Sequence, residues 1–410
     1  MSASDLPPLL SPEALTLLDA LPEWSKDTDA LKIVSQLRAD GHPGELVSAV
    51  VSQAQLRQQG RAKFGDFAAR MLFTRSGLEQ ATRLRVAAHH AARFRGRVPG
   101  VVDLGCGIGG DSLAFAAAGL QTLSVEADEE TAALAAHNLR PFPEATLLHA
   151  RAEEVELPTG WGVWADPARR VVDQWGASRR ISKASDYVPS LDWLLGLAAT
   201  HPIGIKLGPA TDRAVVPDQA GGEPVEAQWV CVGGDVVELC LWAGGLARPG
   251  VGRAALVLGA HPAAELSSEH DLPELEPGPL GRYLYDPNGA VIRARLLPLL
   301  AEQLGAHSIS SNIAYLSGEQ AIHTPFASVF ELTADLAAEE RSLKRELRAR
   351  NIGRLEIKKR GADIDPASLR QRLALRGDEE ATLIMTRVAG KHRALLAHRL
   401  PAPVPPIPGA

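Results

Sequence analysis

Asp103-Leu104-Gly105-Cys106-Gly107-Ile108-Gly109-Gly110-Asp111 combines two carboxylates with four glycines in nine residues. Glycines let a ligand lie against bare backbone, as in nucleotide-binding turns. The stretch leaves a short apolar run at Val101-Val102 and enters Ser112–Gly119, a helical segment closed by glycine. The turn therefore belongs at the carboxyl end of a strand. The next strand, Thr122–Glu126, ends in an acid placed to bind a ribose diol. Gly105, Gly107 and Gly110 also satisfy the dinucleotide pattern G-x-G-x-x-G, which is weak alone. Asp103, two residues before the first glycine, decides between ligands. Its charge would repel a pyrophosphate, but it suits the ammonium and sulfonium of S-adenosyl-L-methionine. Cofactor contacts are expected from Asp103, Gly105, Cys106, Gly107, Gly109 and Glu126, with Cys106 a small filler rather than a nucleophile. Glu153, in His149-Ala150-Arg151-Ala152-Glu153, is a looser candidate to lie by the adenine.

Trp161-Gly162-Val163-Trp164-Ala165-Asp166-Pro167-Ala168-Arg169-Arg170 carries a second constellation. An apolar strand delivers Asp166-Pro167 to the carboxyl edge of the sheet, where open α/β sheets bind ligands. It arrives 63 residues after Asp103, at the distance of a fourth strand. Pro167 removes a backbone donor, which leaves neighbouring carbonyls to face an acceptor group. The pair resembles the start of the Asp/Asn-Pro-Pro-aromatic loop of amine-directed methyltransferases, whose oxygens aim a nitrogen lone pair at the methyl donor by positioning. Asp166 and Pro167 are therefore the expected catalytic residues. Ala168 replaces the second proline and Arg169 the aromatic, so the stacking platform is missing. Arg169 and Arg170 either meet phosphate, stack through their guanidinium planes, or are solvated after a turn. Lys206-Leu207-Gly208-Pro209, ending a fifth strand, either touches the acceptor or turns the chain. Phe73, Thr74 and Gln80 are candidates to lid the cofactor, with a core role the stronger reading for Phe73.

Positioning these groups takes a parallel sheet. Strands expected at 101–104, 122–126, 145–149, 161–165 and 203–207 alternate with helices across 98–258. A hairpin then joins Val225–Val232 to Val236–Trp242 about Gly233-Gly234-Asp235, fitting a sheet whose last strand is antiparallel. Residues 1–95 read as helical, starting at Ser11-Pro12-Glu13 and broken at His42-Pro43-Gly44 and Thr74–Gly77. Residues 259–281, with Pro262, Pro273, Pro277 and Pro279, read as a linker. Residues 282–400 form a second α/β pattern. Its helices are expected over 289–303, over 335–350, and from Asp365-Pro366 to about Leu375. Its strands are expected at 327–332, 354–358 and 382–387. The proline-rich tail, 401–410, is expected to fray.

The chain has 410 residues, 45% hydrophobic and 22% charged, a composition suited to a globular protein of two or three domains. Cys106, Cys231 and Cys240 make no disulfide framework, and the 12 histidines show no metal-ligand spacing, so no metal is expected. No run of 18 apolar residues and no basic-then-apolar start are present, which points to the cytoplasm and away from a membrane. The net charge of −6 hides an uneven distribution: residues 341–400 carry +9 and residues 57–97 carry +8. Such segments either meet a polyanion or are solvated helix faces.

Three stretches together resemble one family: Lys63 with Met71–Thr82, Asp166–Arg170, and Ile357-Lys358-Lys359-Arg360-Gly361 through Leu369-Arg370. They are similar to bacterial class I S-adenosylmethionine-dependent methyltransferases with a C-terminal THUMP-like domain, and the resemblance spans about residues 10–400. It implies an α/β fold with a helical N-terminal region (1–95), a class I methyltransferase (Rossmann-like) core (96–258) and a small α/β THUMP-like domain (282–400). THUMP-type domains bring structured RNA to attached modifying enzymes. The resemblance therefore implies RNA (tRNA or rRNA) as partner and a base nitrogen as acceptor, and Lys358, Lys359 and Arg360 become candidates to lie on its phosphates. Two alternatives stay open: a methyltransferase of proteins or small molecules, and a catalytically silent RNA-binding protein.

Overall fold

The computed structural model describes residues 8–25, 27–169, 187–259 and 262–401. The N-terminal region is helical, as its caps and breaks imply. α1 (Pro12–Ala20) starts on Ser11, whose Oγ accepts from the Ala14 amide at 3.1 Å. α2 (Ala30–Ala39) starts on Asp29, α3 (Gly44–Phe64) follows Pro43, and α4 (Arg75–Gln80) starts on Thr74. α5 (Leu84–Phe94) buries Val86, Ala87, His90, Ala91 and Phe94.

Strand and helix then alternate: β1 (Gly100–Leu104), α6 (Gly110–Ala117), β2 (Gln121–Glu126), α7 (Glu129–Leu139), β3 (Ala145–His149) and β4 (Gly162–Ala165). A short pair, β5 (Ala168–Arg169) and β6 (Tyr187–Val188), precedes α8 (Leu191–Gly196) and β7 (Ile203–Leu207), and a small hairpin joins β8 (Gln219–Ala220) to β9 (Glu223–Pro224). The parallel strands lie in the order β7-β4-β1-β2-β3. Every residue of β1 and β4 is buried, as expected of apolar strands covered on both faces. The chain runs from β1 outward to β2 and β3, then returns to β4 on the other side of β1. That reversal opens a crevice at the carboxyl ends of β1 and β4.

The expected hairpin forms from β10 (Glu226–Val232) and β11 (Asp235–Ala243) about Gly233 and Gly234, at φ 61° and 99°. β12 (Arg253–Leu258) pairs parallel with β10, and β13 (Ala264–Ser268) pairs antiparallel with β12. β13 falls inside the stretch read as a linker; its prolines flank an edge strand that buries Leu266.

The remaining chain contributes β14 (Tyr283–Pro287), α9 (Gly289–Arg293), α10 (Leu297–Leu304), β15 (His307–Ser308), β16 (Leu316–Gly318), β17 (Ala327–Ala337), α11 (Glu340–Ala349), β18 (Ile352–Lys359), α12 (Pro366–Leu373), β19 (Glu379–Val388) and β20 (Lys391–Arg399). Its strands lie in the order β15-β16-β14-β17-β20-β19-β18. Leu343, Leu347, Leu369 and Leu373 of α11 and α12 pack with Leu383, Met385 and Leu396 of the sheet. The helix expected over 289–303 is broken in two, because Arg295 is left-handed (φ 57°) and Pro298 opens α10. The helix expected from 335 starts later, since β17 runs on to Ala337.

These elements group into two compact units. One holds residues 1–207, 211–225 and 241–247; the other holds 208–210, 226–240 and 248–410. Most of the hairpin, residues 226–240, thus falls in the second unit. No helix of the described residues is long and apolar enough to cross a membrane.

Candidate active site

Parallel register sets Leu104, the last residue of β1, opposite Val125 on one side and Ala165 on the other. The glycine turn, Glu126 and Asp166 therefore leave the sheet at one edge. Gly105, Gly107 and Gly109 have φ of 79°, 56° and 87°, a region that side chains disfavour. The amides of Gly105 and Cys106 both donate to the Val125 carbonyl at 2.9 Å, and that of Gly109 donates to the Cys106 carbonyl at 2.9 Å. The Gly107 amide donates to Glu126 Oε2 at 3.0 Å, while Glu126 Oε1 accepts from the Asp128 amide at 2.9 Å. Four amides of the turn are thus already occupied within the protein. Those four N–H groups are therefore not on offer to a phosphate, which would need such donors. A β-carbon on Gly107 would meet nothing within 4 Å, which leaves that side open to a ligand.

Asp103 does not stand at the mouth of this turn, where its sequence position suggested. It is 1% exposed, and its Oδ2 accepts from Ser112 Oγ at 2.5 Å. Ser112 Oγ in turn accepts from Ser124 Oγ at 2.7 Å. Burial, with the nearby Asp111 carboxylate, pushes the Asp103 carboxyl up to about 8. A buried acid beside the turn is a reservoir of negative charge that a cationic ligand can draw out. Such a donor set fits a sulfonium cofactor and opposes an anionic one. Cys106 is buried, and burial with the charges of Asp103 and Glu126 raises its thiol well above the ordinary range. It stays protonated, as befits a filler.

Asp166 and the turn meet directly. The Asp166 amide donates to the Leu104 carbonyl at 3.3 Å, and a β-carbon on Gly105 would lie 3.4 Å from the Asp166 carbonyl oxygen. Pro167 is buried, while the Asp166 side chain is 37% exposed. Its Oδ2 lies 2.5 Å from Lys206 Nζ, on the neighbouring strand β7. Lys206 Nζ also donates to Thr82 Oγ1 at 3.0 Å, and Thr82 Oγ1 donates to Asp111 Oδ2 at 2.8 Å. Asp111 Oδ1 lies 2.7 Å from Nδ1 of His90, whose ring stacks on Trp164 at 4.1 Å. Burial works against the Asp111 charge, but the His90 pairing and the Thr82 bond hold its carboxyl below the usual range.

The sequence marks Lys206 only as an acceptor contact or a turn and gives no role to Thr82, His90 or Asp111. Asp111 directly follows the glycines, and Thr82 closes a stretch singled out for family resemblance, but nothing in the sequence links them to His90. The other expected residues are more dispersed. Glu153 is exposed in a short helical turn beside Arg151, 3.7 Å away. Phe73 is core, 1% exposed, with its carbonyl and amide bonded to Gln53. Thr74 caps α4, which packs on the glycine turn: a β-carbon on Gly77 would lie 2.7 Å from Ile108 Cγ2. Gln80 is exposed. The Arg169 backbone pairs with Tyr187, and Arg170 lies outside the described residues.

The basic run expected on phosphates is bonded within its own unit. Lys358 Nζ and Arg360 Nη2 each lie 2.9 Å from the Asp286 carboxylate. The Arg360 guanidinium sits 4.9 Å over the Tyr315 ring, and Lys359 Nζ donates to the Ile364 carbonyl at 2.6 Å.

Residues 327–399 match a family described as THUMP domain-like, and residues 2–62 match a domain of unknown function. Two Mycobacterium tuberculosis proteins, from strains CDC 1551 / Oshkosh and ATCC 25618 / H37Rv, are each described as an uncharacterized S-adenosylmethionine-dependent methyltransferase. Each is 34% identical to this chain over 352 residues, covering 84% of it and 94% of its own length. The crystal structure of a candidate methyltransferase from Porphyromonas gingivalis W83 matches with a TM-score of 0.72 at 21% identity, covering 95% of this chain and 98% of its own. At that identity the likeness is one of fold.

Proposed function

The chain belongs to the S-adenosylmethionine-dependent methyltransferases, and from that premise we propose that it methylates a base nitrogen in structured RNA, tRNA or rRNA. Its sheet has the class I methyltransferase fold, and a THUMP-like domain follows. In this reading residues 96–258 carry out transfer and residues 282–400 engage RNA.

The cofactor, when bound, supplies a methyl group on a cationic sulfur, and the acceptor nitrogen takes it while the sulfur keeps the bonding electrons. Gly105, Cys106, Gly107 and Gly109 offer the backbone surface for it. Asp103 supplies buried negative charge, and Glu126 stands at the end of β2 to meet the ribose. Glu153 remains the candidate for the adenine side. Asp166 accepts the N–H of the acceptor, orients its lone pair and takes the proton that the nitrogen sheds. Pro167 keeps the backbone beside it free of a competing donor.

The observation that carries this reading is the convergence of the glycine turn and the half-exposed Asp166 carboxylate at one sheet edge, in a chain that also holds a THUMP-like domain. Nucleoside mass spectrometry of RNA from wild-type and deletion strains tests it. One methylated nucleoside should vanish in the deletion strain and return on complementation. An unchanged nucleoside profile would refute the RNA assignment.

Transfer to a protein or small molecule is favoured by one observation: Lys358 and Arg360 are already paired with Asp286. Cofactor binding without any salt-dependent RNA affinity would select it.

A further inference from the structure

We propose that Lys206 is the positioning residue of the acceptor site and restricts the acceptor to an uncharged nitrogen. The inference rests on the reading of Asp166 given above. Parallel pairing of β4 with β7 sets Ala165 beside Ile205, so the next residues, Asp166 and Lys206, leave their strands together. The 2.5 Å contact joins a carboxylate that is 37% exposed to an ammonium that is only 12% exposed. The anchor behind the ammonium is rigid. Thr82 holds Nζ from one side, Asp111 holds Thr82, and His90 holds Asp111 while stacked on Trp164. A floppy surface lysine would lose its pairing to side-chain entropy, whereas this one is largely buried and bonded to both Asp166 and Thr82. Asp166 is thereby held in one orientation.

The same arrangement sets a charge filter. Lys63 donates to the Glu79 and Ala81 carbonyls. Burial, with repulsion from Arg83 and Lys206, brings its ammonium down to about 8. Lys63, Arg83 and Lys206 thus lie near enough to repel one another, and a bound sulfonium adds a fourth positive charge. An aliphatic ammonium would enter as one more cation, and it has no lone pair to offer. A neutral ring or exocyclic nitrogen of a base carries neither penalty.

The test uses the full chain, S-adenosylmethionine and total RNA from the deletion strain. Lys206→Met should lower kcat about a hundredfold, the scale of a misplaced reacting group, with KM for the cofactor unchanged. Lys206→Arg should recover most of the loss. Poly-L-lysine should stay unmethylated by the wild-type protein. A second arm needs no cofactor: urea unfolding of Lys206→Met, Asp166→Asn and the double variant should show non-additive stability losses, as a coupled pair requires. A Lys206→Met variant with wild-type kcat, additive losses in the cycle, or poly-L-lysine methylated as fast as RNA would each overturn the proposal. Wild-type protein that binds the cofactor yet leaves all RNA unmethylated would refute the RNA reading instead, and the unfolding cycle would still judge the Lys206 pair.

Discussion

Asp103 is the residue whose charge should respond to the cofactor. Buried, and with a carboxyl pushed up to about 8, it is largely protonated at neutral pH in the ligand-free protein. A cation arriving beside it favours the ionised form, so uptake should release a proton. The affinity for S-adenosylmethionine should then rise with pH through neutrality and level off above pH 8. Calorimetry in buffers of different ionisation heat reads the proton directly; an affinity that ignores both pH and Asp103→Asn would discard this role. The ligand-free fold should respond in the opposite sense. A folded pKa raised from 3.8 to about 8 favours the native state fully below pH 3.8, and that stabilisation is lost as pH rises through about 8. Asp103→Asn should flatten the decline in urea midpoints. At the acceptor end, Asp166→Ala should remove methyl transfer while leaving cofactor affinity intact, because Asp166 joins the turn through its backbone. Turnover surviving that substitution would show that the acceptor site lies elsewhere.

At the scale of elements, α7 is what clamps the N-terminal region to the glycine turn. Asn138, 4% exposed, accepts from the Leu72 amide at 2.7 Å and donates to the carbonyls of Leu72 and Ile108 at 3.0 Å. Asn138→Leu would leave three buried backbone groups unpaired, a loss of about 3 kcal/mol in unfolding free energy. The urea midpoint should fall with an unchanged slope, and cofactor affinity should weaken because Ile108 belongs to the turn. A midpoint within error of wild type would mean that the helices before β1 merely decorate the sheet.

Charge is the property that needs the whole molecule. A net −6 coexists with +9 over residues 341–400, but these cations are not equivalent. Arg348 and Arg376 are exposed and carry no ion pair among the described residues. Lys358 and Arg360 are tied to Asp286, which is only 14% exposed. Replacing Arg348 and Arg376 by Gln should weaken RNA binding across sequences and lower the salt slope by about one unit per lost phosphate contact, with melting temperature unchanged. Replacing Lys358 and Arg360 should instead lower the melting temperature, since Asp286 would lose both cations. Reversed outcomes would return the 357–361 run to the RNA-facing role that its composition suggested.

Much of this was legible locally. Glycine spacing, the acid ending the second strand and the Asp-Pro pair after the fourth each mark a strand end, because backbone geometry and apolar runs are properties of neighbouring residues. β20 carries little strand signature, since Lys391-His392-Arg393 and His398-Arg399 frame a buried centre of only four residues, Ala394–Ala397. Fold class, cofactor and the two loops at the sheet edge all follow from local patterns of the chain. The burial of Asp103, the stand of Lys206 against Asp166 and the line of Thr82, Asp111 and His90 behind it exist only in the folded chain. Those contacts join residues as many as 124 positions apart, and no local pattern encodes a meeting that chain folding alone brings about.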